Sequence, residues 1–250
     1  MPTPLLAIDG PVASLTLRRP DRANRLELED LAVLHDHIGS LTASPSVRVL
    51  VLRGEGRHFC SGFHIDAVPG ADAPALFDAL CTAWESLPQV TLAVLQGGVW
   101  GGATDLALAC DFRLGSRATQ MAIPAARLGL HYHAGGLQRL VSRLGLGPAK
   151  RLLLAGQTLD AAGMLEAHFL DELHADTDAL NAAVTAWQAE LARMAPLALA
   201  GMKRHLNQWA RGRWDADAFA QDAARCAKSA DLMEGVAAWQ AGRTPEFKGQ

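Results

Sequence analysis

The 250-residue chain is poor in the features that mark many function classes. Its four cysteines, Cys60, Cys81, Cys110 and Cys226, are widely spaced and form no C-x-x-C pair. That argues against a disulfide framework and a Cys/His metal cluster, and for a reducing, cytosolic setting. Positive charge is not in excess: 23 Lys and Arg against 26 Asp and Glu leave a net charge of −3. There is thus no overall field for nucleic acid or an anionic membrane, and any anionic ligand must be held by a local cluster. The longest uncharged run, Ser86 to Thr104, contains Pro88, Gln89, Gln96 and four glycines, which suits it badly to crossing a membrane. The opening MPTPLLAIDG has no basic segment ahead of an apolar stretch, so no secretory leader is expected. Internal repeats and low-complexity tracts are missing. What is present is a half-hydrophobic, one-fifth charged composition, enough for a sizeable core.

Along the chain, LLAI, Asp9-Gly10 and VASLTL predict a hairpin. Pro20 ends its second strand. From Glu27 to Leu41, apolar Leu28, Leu31, Leu34, Ile38 and Leu41 recur at three- and four-residue steps and predict a helix. Val47 to Gly56 and Thr91 to Gly98 are short apolar strands ending in glycine turns, with a helix over Ala75 to Leu87 between them. Further helices are expected over Asp105–Cys110, Lys150–Ala155, Ala161–Ala167, Asn181–Met194, Leu197–Ala210, Asp215–Ala230 and Leu232–Ala241. Strands separated by helices favour an α/β core with parallel crossovers, and the last third is helical. Trp187, Leu191, Leu197, Leu206, Trp209 and Trp214 give that helical tail a large apolar surface suited to docking.

Two segments depart from ordinary strand ends: HFCSGFHIDAVPG and QGGVWGGATDLALACD. Each puts glycine after a strand, and Gly101-Gly102 stands directly before a short helix. Glycine lets a ligand approach backbone amides, and a helix start offers unpaired N–H groups. Such turns can hold a developing oxyanion, although tight turning alone also explains the glycines. Neither fits G-x-G-x-x-G or a P-loop, which disfavours nucleotide phosphates.

Taken together, 39 residues apart from Phe63 to Gly102, the two turns give the chain a clear resemblance to the crotonase, or enoyl-CoA hydratase/isomerase, superfamily. The resemblance extends from RPDRANRLELEDLAVL through FCSGFHI, GGVWGGATDLALACDFRLGS and GLHYHAGGLQRLVSRLGLGPAKRLLLAGQTLDAAG to EGVAAWQAGRTPEFKGQ. It implies an α/β, crotonase-like fold of repeated ββα units (1–195) with a helical C-terminal region (196–250), assembled as homotrimers or homohexamers. It implies an acyl-CoA substrate, no cofactor beyond the CoA moiety of that substrate, no metal, and neither nucleic acid nor membrane as partner. The backbone amides of Phe63 and Gly102 would stabilise a thioester enolate. Ser61, Gly62, Phe63, His64, Ile65, Asp66, Gly101 and Gly102 would line the CoA and acyl path, and Arg25 would lie near the CoA phosphates. His64 stands where an acidic residue is common.

Other positions depart from the family pattern. Of the two glutamates that hold water in family hydratases, the first is Asp105 here, about 1.5 Å shorter in reach. The second is replaced by Ala125 in MAIPAARLGL, which can neither give nor take a proton. His131 and His133 flank Tyr132, the chain's one tyrosine, in a loop that borders the acyl pocket in the family. His133 lies near the position of a catalytic carboxylate in chlorobenzoyl-CoA dehalogenases, and a histidine there could act as a general base near neutral pH. The expected activity is therefore a hydratase-like lyase or isomerase, with Asp105 the first acid/base candidate and His133 the second. Two alternatives stay open: a CoA-thioester hydrolase, dehalogenase or carbon–carbon-cleaving enzyme using His133, and an acyl-CoA-binding protein with weak turnover.

Overall fold

A computed structural model describes residues 2–64 and 73–250. The chain opens with β1 (Leu5–Asp9), β2 (Val12–Leu17), α1 (Leu28–Thr42), β3 (Val49–Gly54) and α2 (Ala73–Glu85). It continues with β4 (Val90–Leu95), β5 (Gly98–Trp100), α3 (Gly102–Leu108), β6 (Phe112–Ser116), β7 (Gln120–Ala122), α4 (Ala134–Leu144) and α5 (Leu146–Leu153). Then come β8 (Leu159–Asp160), α6 (Ala161–Glu166), β9 (Glu172–His174), α7 (Thr177–Leu191), α8 (Pro196–Ala210), α9 (Ala216–Ala227) and α10 (Ala230–Ala241).

The larger sheet has the order β1-β2-β3-β4-β6-β9. Only β1 runs antiparallel to its neighbour, through the predicted hairpin with Gly10 at φ +54°. The remaining pairs are parallel. Parallel strands are buried on both faces, and their alternation sorts side chains between two cores. Leu50, Leu52, Ala93 and Leu95 face the main core with α1, α2 and α3, while Val49, Val51, Leu92 and Val94 pack under Leu180 and Val184 of α7.

The repeating unit is visible in the chain path. β4 lies in the large sheet, β5 in a small one, and α3 follows; β6, β7 and α4 repeat the pattern. The unit containing β3 and α2 does likewise, because Cys60 bridges Val99 of β5 in parallel. The second strand of each unit thus brings its following turn beside those of the other units, and the site lies there.

Most elements expected from the sequence are found within a few residues of their predicted limits. The helix α4 and the short strands β5 to β9 are additional. The expectation missed α4 because Gly135-Gly136 stands at its start. A Cβ on Gly135 would lie 2.1 Å from Asp78 Oδ1, so this glycine serves the close approach of α4 to α2 rather than a turn.

The C-terminal helices are tied to the core by polar contacts: Lys203 Nζ to Gln89 O at 2.7 Å and Asn207 Nδ2 to Glu85 O at 3.1 Å. Much of their apolar surface stays outside, with Trp239 88 % and Met233 71 % exposed. Among the described residues, no helix is long and apolar enough to cross a membrane.

Candidate active site

The segment after β3 is held between two neighbours. On one side Trp100 N–H donates to Cys60 O at 3.0 Å. On the other, Leu26 N–H donates to Gly62 O, and His64 N–H donates to Leu26 O, both at 2.9 Å. In a parallel pairing the N–H groups of successive residues point to opposite sides. With His64 committed to Leu26, the N–H of Phe63 is turned the other way, toward Gly102. A Cβ built on Gly102 would stand 3.7 Å from Phe63 N, and one on Gly62 would stand 3.1 Å from Gly102 N. Gly62 has φ +88°, and a side chain there would meet Trp100 O at 2.5 Å, so only glycine lets the two turns come this close. Gly102 is the first residue of α3, where an N–H has no partner within the helix. Among the described residues, neither the Phe63 nor the Gly102 N–H has a hydrogen-bond acceptor.

A cavity of about 270 Å³ opens beside these amides. Its wall is largely apolar, including Phe77, Ile123, Ala125 and Leu128. Among the described residues, the titratable side chains in that wall are His131, Tyr132 and His133, and no carboxylate is present. His131 Nδ1 lies 2.8 Å from Tyr132 O. The Tyr132 hydroxyl is 3.3 Å from Thr104 Oγ1, and burial together with the Asp105 charge raises its ionisation well above the usual phenol range. His133 stacks on Tyr132 with ring centroids 4.5 Å apart and meets Phe77 edge-on at 5.6 Å.

Asp105 lies behind His133 rather than at the cavity wall. Its carboxylate is 0 % exposed and makes three short contacts. Arg139 Nε donates to Oδ1 and Arg139 Nη2 to Oδ2, each at 2.7 Å, and His133 Nε2 lies 2.7 Å from Oδ2. Burial pushes the carboxyl group toward protonation, but Arg139 and His133 outweigh it and bring its pKa down to about 2. Asp105 is therefore an anion locked in a bidentate pair. Asp78, Asp105 and His133 put ligand-type atoms within 4.8 Å of one another, but the Arg139 guanidinium already sits among them as the counter-cation.

Arg139 carried no expectation from the sequence. A signal was available: the buried positions of α4 are Gly136, Arg139, Leu140 and Leu144, so an arginine falls on the apolar face of a helix, where a charge requires a partner.

The CoA-side candidates gather around a second residue not singled out from the sequence. Glu27 caps α1 and accepts from Arg25 Nη2 at 2.6 Å, and His64 Nδ1 lies 2.7 Å from its other oxygen. Burial opposes ionisation of Glu27, yet Arg25 and His64 together keep its carboxyl below the usual range. Ser61 N–H donates to Ala23 O at 2.8 Å, beside this cluster. Ile65 and Asp66 lie outside the described residues.

Comparison with known proteins points the same way as the geometry. The profile of the family described as enoyl-CoA hydratase/isomerase matches residues 7–250. The chain is 31 % identical over 242 residues to a protein named probable enoyl-CoA hydratase echA6 from Mycobacterium bovis, covering 95 % of this chain and 96 % of that one. It is 29 % identical to the 2,3-dehydroadipyl-CoA hydratase of Escherichia coli, covering 96 % of each. In three dimensions it resembles an enoyl-CoA hydratase/carnithine racemase from Magnetospirillum magneticum, with TM-score 0.93, 27 % identity, and coverage of 100 % of this chain and 97 % of the other.

Proposed function

The chain belongs to the enoyl-CoA hydratase/isomerase family, and from that premise we propose that it binds an acyl-CoA thioester, stabilises the enolate through the N–H groups of Phe63 and Gly102, and moves the proton with His133. The observation that carries this reading is the 2.7 Å contact between His133 Nε2 and Asp105, set behind a cavity wall whose described residues include no carboxylate. A carboxylate anchored by Arg139 favours the tautomer in which Nε2–H donates to Asp105. Nδ1 then keeps its lone pair, and no described residue donates to it. That arrangement makes His133 a general base, with Asp105 holding the ring in orientation.

The two amides supply the charge stabilisation. Preorganised donors of this kind are worth about 2.7–4 kcal/mol each in the transition state. The walls from Ser61 to Gly62 and from Gly101 to Gly102 carry the thioester arm, with His64 continuing that path. Arg25 shares its charge with Glu27 and so attracts CoA phosphates less than a free arginine would. Holding water between two carboxylates is disfavoured, because Ala125 is in the wall and Asp105 is committed to Arg139. The reaction this supports is single-base enolate chemistry of the lyase or isomerase type, with slow hydration of simple enoyl-CoA esters.

The exposed apolar surface of α8 to α10 supports a homotrimer or homohexamer, and four free thiols fit a cytosolic setting.

The test is exchange of the proton next to the thioester carbonyl. A panel of acyl-CoA esters is incubated with the protein in D2O and followed by NMR. The wild type is expected to catalyse exchange on at least one ester. His133→Gln should slow it by about 10²-fold or more while affinity changes only a few-fold. Exchange unaltered in His133→Gln would remove the histidine from the reaction. Binding without any exchange would favour the second reading, an acyl-CoA-binding protein with little turnover, which a wall with no carboxylate among its described residues also fits.

A further inference from the structure

The His133–Asp105 pair is the inner end of a longer chain of charge. Arg139, only 2 % exposed, reaches beyond Asp105 to two further carboxylates on α2. Its Nη2 lies 3.3 Å from Asp78 Oδ1 and its Nη1 3.4 Å from Glu85 Oε2. Glu85 is buried in turn, with Arg143 Nη2 2.6 Å from Oε1 and Arg211 paired with Oε2. Arg211 directly follows the last residue of α8, 126 positions along the chain from Glu85. The formal charges of this cluster cancel: Asp78, Glu85 and Asp105 against Arg139, Arg143 and Arg211. The balance holds while His133 is neutral.

We propose that Glu85 and Arg211 are positioning residues for His133, acting through Arg139 and Asp105 to set how readily its imidazole takes a proton, so that the chemistry in the cavity depends on how the C-terminal helices are seated on the core. The role of the proton on His133 rests on the reading given above, but the coupling itself does not. Buried charges are poorly screened by salt, and removing one leaves the cluster one unit out of balance.

The groups facing His133 come from several elements. Asp105 approaches from α3, Asp78 and Glu85 from α2, and Arg139 and Arg143 from α4. The Cys81 thiol on α2 stays neutral, because burial and the Asp105 charge push its ionisation up. The Tyr132 phenol is likewise neutral, and His131 keeps its Nδ1 on a backbone carbonyl. Of these charged groups, Glu85 is the one whose ion pair, with Arg211, reaches the C-terminal region among the described residues.

A simple staple between α2 and α8 would hold the helices without reporting at His133. The distinguishing measurement is the protonation of His133 followed by NMR on intact protein labelled with 13Cε1-histidine, its signal assigned by loss in His133→Gln. Glu85→Gln removes a negative charge and should move the His133 midpoint to lower pH. Arg211→Gln removes a positive charge and should move it to higher pH, each by about 0.5 in pH. Arg211→Lys keeps the charge and should stay near the wild type. Opposite shifts in the two charge-removing variants support the coupling. Shifts of the same sign, or none, overturn it. If Glu85→Gln does not fold, Arg211→Gln against Arg211→Lys still decides, and equal midpoints overturn the proposal. No substrate is needed, so this outcome is independent of the exchange experiment on His133.

Discussion

The two walls of the cavity are built by different means. On the Phe63 and Gly102 side the candidate functional groups are backbone N–H groups, aimed by strand pairing and by the start of α3. On the His133 side they are side chains, aimed by an ion network drawn from α2, α3, α4 and the end of α8. A backbone donor survives any substitution that preserves the turn. A side-chain base is lost with one residue, and its orientation depends on partners far away in sequence. In the proposed function the backbone wall would set the class of chemistry, enolate stabilisation, and the side-chain wall would decide what is done with the proton.

The comparison is tested most severely at Arg139. Arg139→Met strips a fully buried Asp105 of its bidentate partner. Breaking a buried pair on one side costs about 3–5 kcal/mol, and urea unfolding should register a loss of that order. A loss below about 1 kcal/mol would mean that the network does not hold this wall.

On the other wall, Gly62→Ala should act through the backbone alone. The new methyl would meet Trp100 O at 2.5 Å in a residue with φ +88°, displacing the Phe63 amide. The expected cost is about 10²–10³ in exchange rate. Phe63→Leu changes the side chain but keeps the N–H, and should stay within about 10-fold. Equal losses in the two variants would refute the backbone assignment.

The smallest effect is in acid. The Asp105 carboxyl has its pKa lowered from 3.8 to about 2 in the fold. Its stabilisation is thus fully present above the ordinary carboxyl value and is lost as pH falls through about 2. This is worth about 2 kcal/mol. Unfolding free energies at pH 5 and pH 2 should differ by about that much more in the wild type than in Asp105→Asn, which has no carboxyl to titrate. An identical pH dependence in both would show that Asp105 is not held as an anion.

Local order in the residues was enough for much of this molecule. The Asp9-Gly10 turn dictates the β1–β2 hairpin, and the apolar period from Leu31 to Leu41 dictates the buried face of α1. The runs around Val51 and Ala93 are strands because buried parallel strands are apolar on both faces. The spacing of Gly102 and Asp105 puts that carboxylate on the first turn of α3. The direction it faces was decided only by tertiary packing. Asp105 meets Arg139 34 residues later because α3 and α4 pack together, and Gly135 lets α4 approach Asp78 on α2. The shortest strands, β5 and β7 to β9, likewise exist only beside their partners, since two or three residues carry no period of their own. Periodicity records which face of an element is buried. It does not record which charge on another element will be there to meet it, and in this protein that meeting turns Asp105 away from the cavity and leaves His133 facing it.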